Sequence, residues 1–272
     1  MGIAALIVAG GVLLSRLLGL IREVIFAGML GASAVTDEYV AAFTIPDFLN
    51  YLLAGGFLSI TFIPIFARYL AAGDEAGGWR AFAAVLRPIA VGITVLILIG
   101  MAVARPVVEL LSPDFDAAQI EATTRYTRIV LPAQFFFVIG ALFTAVQYAK
   151  GMFTIPTLAP IIYNLGIIAG GVILNLGAGT PSPEGFIWGA LAGAFAGNFG
   201  VQWWGARRAG MRLPRDAGWS HPALKEYLTL AIPLMIGQSL VVLDEQLTRT
   251  FGSLVGDGPA THLQYARRTM LV

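Results

Sequence analysis

Long apolar stretches separated by short polar ones organise almost the whole chain. A helix needs about 20 apolar residues to cross the hydrocarbon core of a membrane, and the charge-free runs Phe48–Ala67, Ile129–Ala149 and Gly185–Ala206 hold 20, 21 and 22. Pro88–Ala104 and Tyr227–Leu243 are shorter, at 17 residues each, and can extend into their flanks. The stretch from Gly151 to Pro183 is too long for one helix and closes in the loop-like segment GAGTPSP, Gly177–Pro183. A first run from Ile3 to Leu30 is interrupted by Arg16, Arg22 and Glu23. The pattern predicts helices at 3–30, 36–69, 79–104, 117–150, 155–176, 184–208 and 223–252, with an eighth beginning near Gly258. No segment has the alternating pattern of an outer-membrane strand. The fold class expected is an all-α polytopic membrane protein.

Composition agrees: charged residues are 12% of the chain and mean hydropathy is +0.79, against about 25% charged in soluble domains. Seventeen Lys and Arg offset sixteen Asp and Glu, a balance that points to no nucleic-acid partner. There are no cysteines, so disulfides, Cys-ligated zinc and thiol nucleophiles are excluded. Met1–Leu14 lacks a basic start and a cleavage site, and reads as a retained first helix, not a signal peptide. Leu6 spoils a myristoylation signal. With the N-terminus in the cytoplasm, that side holds Arg68, Arg80, Arg87, Lys150, Arg207, Arg208, Arg212, Arg215 and Lys225, whereas the other holds Arg105, Arg125 and Arg128. The positive-inside tendency therefore predicts a cytoplasmic N-terminus. Trp203 and Trp204 beside Arg207 and Arg208 read as interfacial anchors. Because the eighth helix has barely begun at Val272, the chain is expected to be the N-terminal part of a longer transporter.

Glycines at 185, 189, 193 and 197, repeated more weakly at 166 and 170, place a small-residue stripe on one helix face. Such stripes let backbones approach closely, and intramolecular packing is the preferred reading over dimerisation. Gly10, Gly11, Gly19, Pro46, Gly55 and Gly56 punctuate the first two helices, as in bent helices that border a transport cavity.

Charges inside a membrane are costly and usually face a partner or a wet cavity. Arg16 and Glu23, seven residues apart, project from nearly the same face of the first helix, with Arg22 on a neighbouring face. One reading is an internal ion-pair network using Asp37 or Asp47. The other is an electropositive wall for an anionic group, for which arginine has permanent charge and bidentate donors. Both can hold in one site. Arg267 and Arg268 are either juxtamembrane anchors or further substrate contacts. Glu245 and Arg249 suit an i, i+4 pair, which leaves Asp244 as a candidate cation or proton site. Gln134, Gln147, Asn164, Asn175 and Asn198 are expected to join helices by hydrogen bonds. Walker, dinucleotide, HExxH and GxSxG motifs are missing, and His221 and His262 lie in separate loops. No enzyme chemistry, cofactor or metal is expected.

Specific segments carry a likeness. Ser15-Arg16-Leu17-Leu18-Gly19, Ile21-Arg22-Glu23, Gly31-Ala32, Thr36-Asp37, Ile45-Pro46-Asp47, Leu53-Ala54-Gly55-Gly56 and Phe62-Ile63-Pro64 resemble the opening of the MurJ (MviN) lipid II flippases. So do Gly151-Met152-Phe153 with Pro156, Pro160 and Asn164, and Tyr265-Ala266-Arg267-Arg268. The resemblance implies a MurJ/MATE-like bundle of the multidrug/oligosaccharidyl-lipid/polysaccharide exporter superfamily. Residues 1–215 would form the N-terminal lobe, with six transmembrane helices, and 216–272 would begin the C-terminal lobe. It also implies that Arg16, Arg22, Glu23, Asp37 and Arg268 contact or organise the diphosphate and sugar headgroup, and that Asp244 lies near a sodium-linked carboxylate. The chain departs from many members at Asn50 and Tyr51, where two basic residues are common, at Gly55 and at Arg267, where acids are common.

The function implied is movement of lipid II, a peptidoglycan precursor, across the bacterial plasma membrane by alternating access. The partners would be lipid II and membrane lipids, and sodium or the membrane potential would supply energy. Export of another lipid-linked oligosaccharide, or a nontransporting scaffold with structural ion pairs, are the competing readings.

Overall fold

Some prolines break the apolar runs as they fold, whereas Pro64, Pro88 and Pro106 are carried inside continuous helices. In a computed structural model, which describes residues 2–31, 33–53, 57–176 and 181–237, the first run is one helix, α1 (Gly2–Leu30). The expected helix over 36–69 breaks into α2 (Ala34–Ala42) and α3 (Thr44–Leu53), and α4 (Phe57–Ala71) follows residues 54–56, which lie outside the described residues. The first break, at Phe43, has a cause in Pro46, which has no N–H to offer the Ala42 carbonyl four residues back. The Thr127 hydroxyl donates to that carbonyl instead, at 3.2 Å across a buried contact.

α5 (Glu75–Leu111) outruns the expected 79–104 at both ends. Asp74 starts it early, its carboxylate accepting the Gly77 N–H at 2.8 Å. At about 1.5 Å per residue it spans roughly 55 Å, so its ends stand clear of a hydrocarbon core about 30 Å thick. The expected helix over 117–150 is two: α6 (Ala117–Val130) and α7 (Ala133–Ala149), parted at Leu131 and Pro132. A reciprocal cap between Asp116 and Gln119 opens α6.

Then come α8 (Leu158–Asn175) and α9 (Glu184–Gly193), a π-helical segment over Ala194–Val201, and α10 (Gln202–Arg208). The wide π turns bring the Asn198 carbonyl against the Gly140 backbone, where even one added methyl group would collide. A last described helix covers 222–237. The rest of the expected 223–252 helix and the whole eighth helix lie outside the described residues.

Among the described residues, four helical segments are long and apolar enough to cross a membrane: Ala5–Leu30, Glu75–Leu111, Ala117–Ala149 and Leu158–Asn175. Among the described residues there is no strand.

Two apolar cores hold the bundle. One gathers Phe62 and Phe66 of α4, Trp79 and Phe82 of α5, Leu142 and Phe143 of α7, and Tyr227 of helix 222–237. The other joins Phe26 of α1, Ala42, Tyr126 and Val130 of α6, Ile167 of α8, and Phe186 and Ala190 of α9. α8 and α9 meet along the glycine stripe: a Cβ on Gly170 would stand 2.5 Å from the Gly185 carbonyl oxygen, and one on Gly166 would stand 2.6 Å from the Gly193 Cα. The stripe is intramolecular, as expected.

Cations gather at one end of the bundle. Lys150 bonds Glu75 and the Ala209 carbonyl, Arg68 pairs with Glu226, and Arg80 pairs with Asp216. Arg87 donates to the Pro214, Arg215 and Ala217 carbonyls, fastening the segment between α10 and helix 222–237. Arg207 and Arg208 lie over the Trp203 and Trp204 rings, at 5.3 and 4.2 Å, which suits the anchor reading.

Candidate functional site

Burial along α1 follows the helical period. Gly11, Ser15, Leu18, Gly19, Arg22, Phe26 and Met29 form a half-covered stripe, while Arg16, Leu17, Leu20, Ile21, Glu23 and Val24 are exposed. The stripe faces α8: Thr157 packs on Gly11, and the Asn164 Oδ1 lies 3.9 Å from where a Cβ on Gly19 would be. At its far end the Phe26 ring packs tilted against Tyr39 of α2 at 4.4 Å and edge-to-face against Phe186 of α9 at 5.0 Å. Among the described residues α1 is therefore held along one edge, and its remaining surface is open.

Arg22 sits where the covered stripe meets that open surface. Its Nη1 donates to Asn164 Oδ1 at 3.2 Å, and its Nη2 pairs with Glu23. Asn164, buried in α8, donates in turn to the Ser15 carbonyl of α1 at 3.4 Å and to the Pro160 carbonyl at 2.9 Å. One amide thus ties the two helices and orients the guanidinium. The Arg22 side chain is 27% exposed and that of Glu23 62%, so the pair is fixed from inside and reachable from outside. A guanidinium has five N–H donors, and these two partners leave several for an anion.

The candidate residues do not all converge. Arg16 and Glu23 lie on the open face and Arg22 on the neighbouring one, matching the helical spacing. Arg16, Asp37 and Asp47 form no ion pair among the described residues, so the Arg22 charge is met by its sequence neighbour Glu23 and not by an acid of α2 or α3. Adjacent helix positions point about 100° apart, and the length of the arginine side chain bridges that gap. Asp244, Glu245, Arg249, Arg267 and Arg268 lie outside the described residues.

Two tyrosines that the sequence reading passes over belong to the same neighbourhood. Tyr39 is within electrostatic reach of Arg22, Glu23 and Asp47, and Tyr163, beside Asn164, is within reach of Arg22 and Asp47. A tyrosine in an apolar helix is ordinary by itself. The available signal is its adjacency to Asn164, a polar residue in an otherwise apolar run.

The expected helix-joining amides join helices at two positions: Asn164 links α8 to α1, and Gln147 of α7 donates to Gln202 Oε1 of α10 at 3.0 Å. Asn175 instead ties the end of α8 to Ser182 in the loop before α9. The Gln134 Oε1 and Asn198 Nδ2 atoms are buried without a partner among the described residues.

A permanently charged donor group, oriented by a buried amide at the edge of an open helix face, suits the holding of an anion and no covalent step. A family model described as "Lipid II flippase MurJ" matches residues 26–272. The lipid II flippase MurJ of Burkholderia cenocepacia is 29% identical over 98% of this chain and 52% of its own length. A probable lipid II flippase MurJ of Bdellovibrio bacteriovorus is 30% identical over 98% of this chain and 51% of its own. The chain spans about half the length of these curated relatives. A solved lipid II flippase MurJ in an inward closed conformation matches with a TM-score of 0.66, at 19% identity, over 98% of this chain and 54% of that one. An outward-facing multidrug resistance MATE family transporter of the MOP superfamily matches at 0.73, with 17% identity over 98% and 60%. The structural likeness establishes the fold, and the extent of the family match establishes the lineage: the chain belongs to the MurJ lipid II flippase family.

Proposed function

We propose that the whole protein moves lipid II across the bacterial plasma membrane, and that Arg22 is a first contact for the diphosphate. The carrying observation is the Asn164-oriented guanidinium on the half-open edge of α1, with the exposed cation Arg16 six residues earlier on the same helix. The diphosphate would take donors that Asn164 and Glu23 leave free, while the undecaprenyl tail stays in the bilayer. Asp37 and Arg268 would complete the headgroup site, with Arg268 approaching from a second lobe that begins at 216–272. Residues 1–215 would form the first lobe, and rocking of the lobes would alternate access.

Orientation rests on the cationic end of the bundle. Arg68, Arg80, Arg87, Lys150, Arg207 and Arg208 collect there, which favours the cytoplasmic side. Because α4 ends at that side and α1 runs the opposite way to α2–α4, the N-terminus is assigned to the cytoplasm. Sodium at Asp244 or the membrane potential would supply energy. The potential is worth about 2.3 kcal/mol per elementary charge per 100 mV.

The test is reconstitution of the full-length protein in vesicles, with translocation of lipid II measured against other undecaprenyl-linked glycans. Arg22→Ala is expected to fold and accumulate normally while losing translocation at least tenfold. Retained translocation would overturn the site, and equal transport of unrelated glycans would make the protein a broader exporter.

A further inference from the structure

Two side chains near Arg22 carry more chemistry than packing requires. Tyr39 of α2 lies against Phe26, Phe43 and Phe186, with ring centroids at 4.4, 4.9 and 6.4 Å. Tyr163 of α8 meets Phe137 of α7 edge-on at 5.2 Å. These ring partners are all phenylalanines, so a phenylalanine at 39 or 163 would pack as well as the tyrosine does. Both tyrosines are half-buried on the rim of the second core, which α1 joins through Phe26. Neither hydroxyl has a hydrogen-bond partner among the described residues. A tyrosine turned toward a core usually finds one.

The surrounding charges decide what fits there. The two phenols are within electrostatic reach of each other and of Arg22. Asp47 is within reach of both, and Glu23 is within reach of Tyr39. Around Tyr39 one described cation is thus set against two carboxylates, a balance that does not attract a second anion to this side of the guanidinium. A phenol both donates and accepts, whereas a carboxylate only accepts. Such a set matches a neutral group rich in hydroxyls, and the aromatic rims offer apolar surface to the C–H face of a ring.

We infer that Tyr39 and Tyr163, with Asp47 as an acceptor, form the subsite for the sugar next to the diphosphate, and so select a glycosylated lipid diphosphate over a bare one. The inference rests on the reading of Arg22 as the diphosphate contact. It divides the headgroup by charge, with the anion on Arg22 and the neutral ring on the phenols. The hydroxyls supply hydrogen bonds without adding fixed charge, which is costly to hold inside a membrane.

The experiment compares the affinity of the purified full-length protein for lipid II and for undecaprenyl diphosphate, which has the same diphosphate and tail but no sugar. The wild type is expected to bind lipid II at least fivefold more tightly. The double variant Tyr39→Phe, Tyr163→Phe removes only the hydroxyls. It should bring the two lipids within twofold of each other, with undecaprenyl diphosphate bound as well as by the wild type. Arg22→Ala should weaken both lipids at least tenfold. A wild type that does not distinguish the lipids, an unchanged preference in the double variant, or an equal loss of both lipids in it would each overturn the sugar subsite and leave the Arg22 reading standing. Undecaprenyl diphosphate that does not bind, or that binds regardless of Arg22→Ala, would instead overturn the diphosphate reading and this inference with it. Should melting temperatures show the double variant misfolded, the single variants and Asp47→Asn decide. Each should lower the preference at least twofold, and an unchanged preference in all three overturns the assignment.

Discussion

α1 and the α8–α9 pair are both rich in glycine, yet the residue does opposite things in the two places. Along α8 and α9 each glycine of the stripe meets backbone, so the helices touch main chain to main chain and no side chain fits between them. Along α1, Gly10 and Gly28 meet nothing within 4 Å among the described residues. The seam is a weld, and α1 is a rail held at one edge. Only the rail presents arginines outward. Small residues indicate close approach only where a second backbone arrives to use the space, and where none arrives the helix surface stays open for other chemistry.

The sharpest way to break this contrast is Gly189→Leu. Its side chain would drive into the Gly166 backbone, which cannot move as a rotamer can, so folded protein measured by size exclusion should fall at least tenfold. Arg22→Ala comes next and divides the two regions by phenotype, with translocation lost at least tenfold at near-normal abundance. Asn164→Leu, on the seam helix but reaching the rail, should affect both. The Ser15 and Arg22 bonds go, melting reports a loss of about 1 kcal/mol, and translocation falls severalfold. Gly10→Ala should do almost nothing, within about 0.5 kcal/mol. A large loss there would mean that the open face of α1 is packed as tightly as the seam.

The four spans described were legible because apolar run length is a direct response to membrane thickness. The breaks inside them were not. Pro46 and Pro132 stand in plain view, but membrane helices often carry prolines through a kink. What turns Pro46 into a break at Phe43 is the Thr127 hydroxyl, supplied from a helix 85 residues away. The π-helical stretch Ala194–Val201 has an ordinary apolar composition, and its wide turns become visible only against Gly140 of α7. At the candidate site, spacing placed Arg16, Arg22 and Glu23 on the correct faces. Asn164, 142 residues from Arg22, was legible as a helix-joining amide but not as the group that orients this guanidinium. Tyr39 and Tyr163 were hidden for a related reason, since their relevance comes from what surrounds them.

The bond from Thr127 to Ala42 also governs stiffness. Where a helix is closed by its own ladder, bending it stretches bonds that lie along the axis, and the resistance is shared by every turn. At Phe43 the ladder is already open, and the substitute bond comes from the side. α3 can therefore tilt against α2 with fewer backbone bonds to strain than a continuous helix would present, while α2 stays moored to α6 by that hydroxyl. The joint behaves as a pinned hinge whose pin belongs to a neighbouring helix.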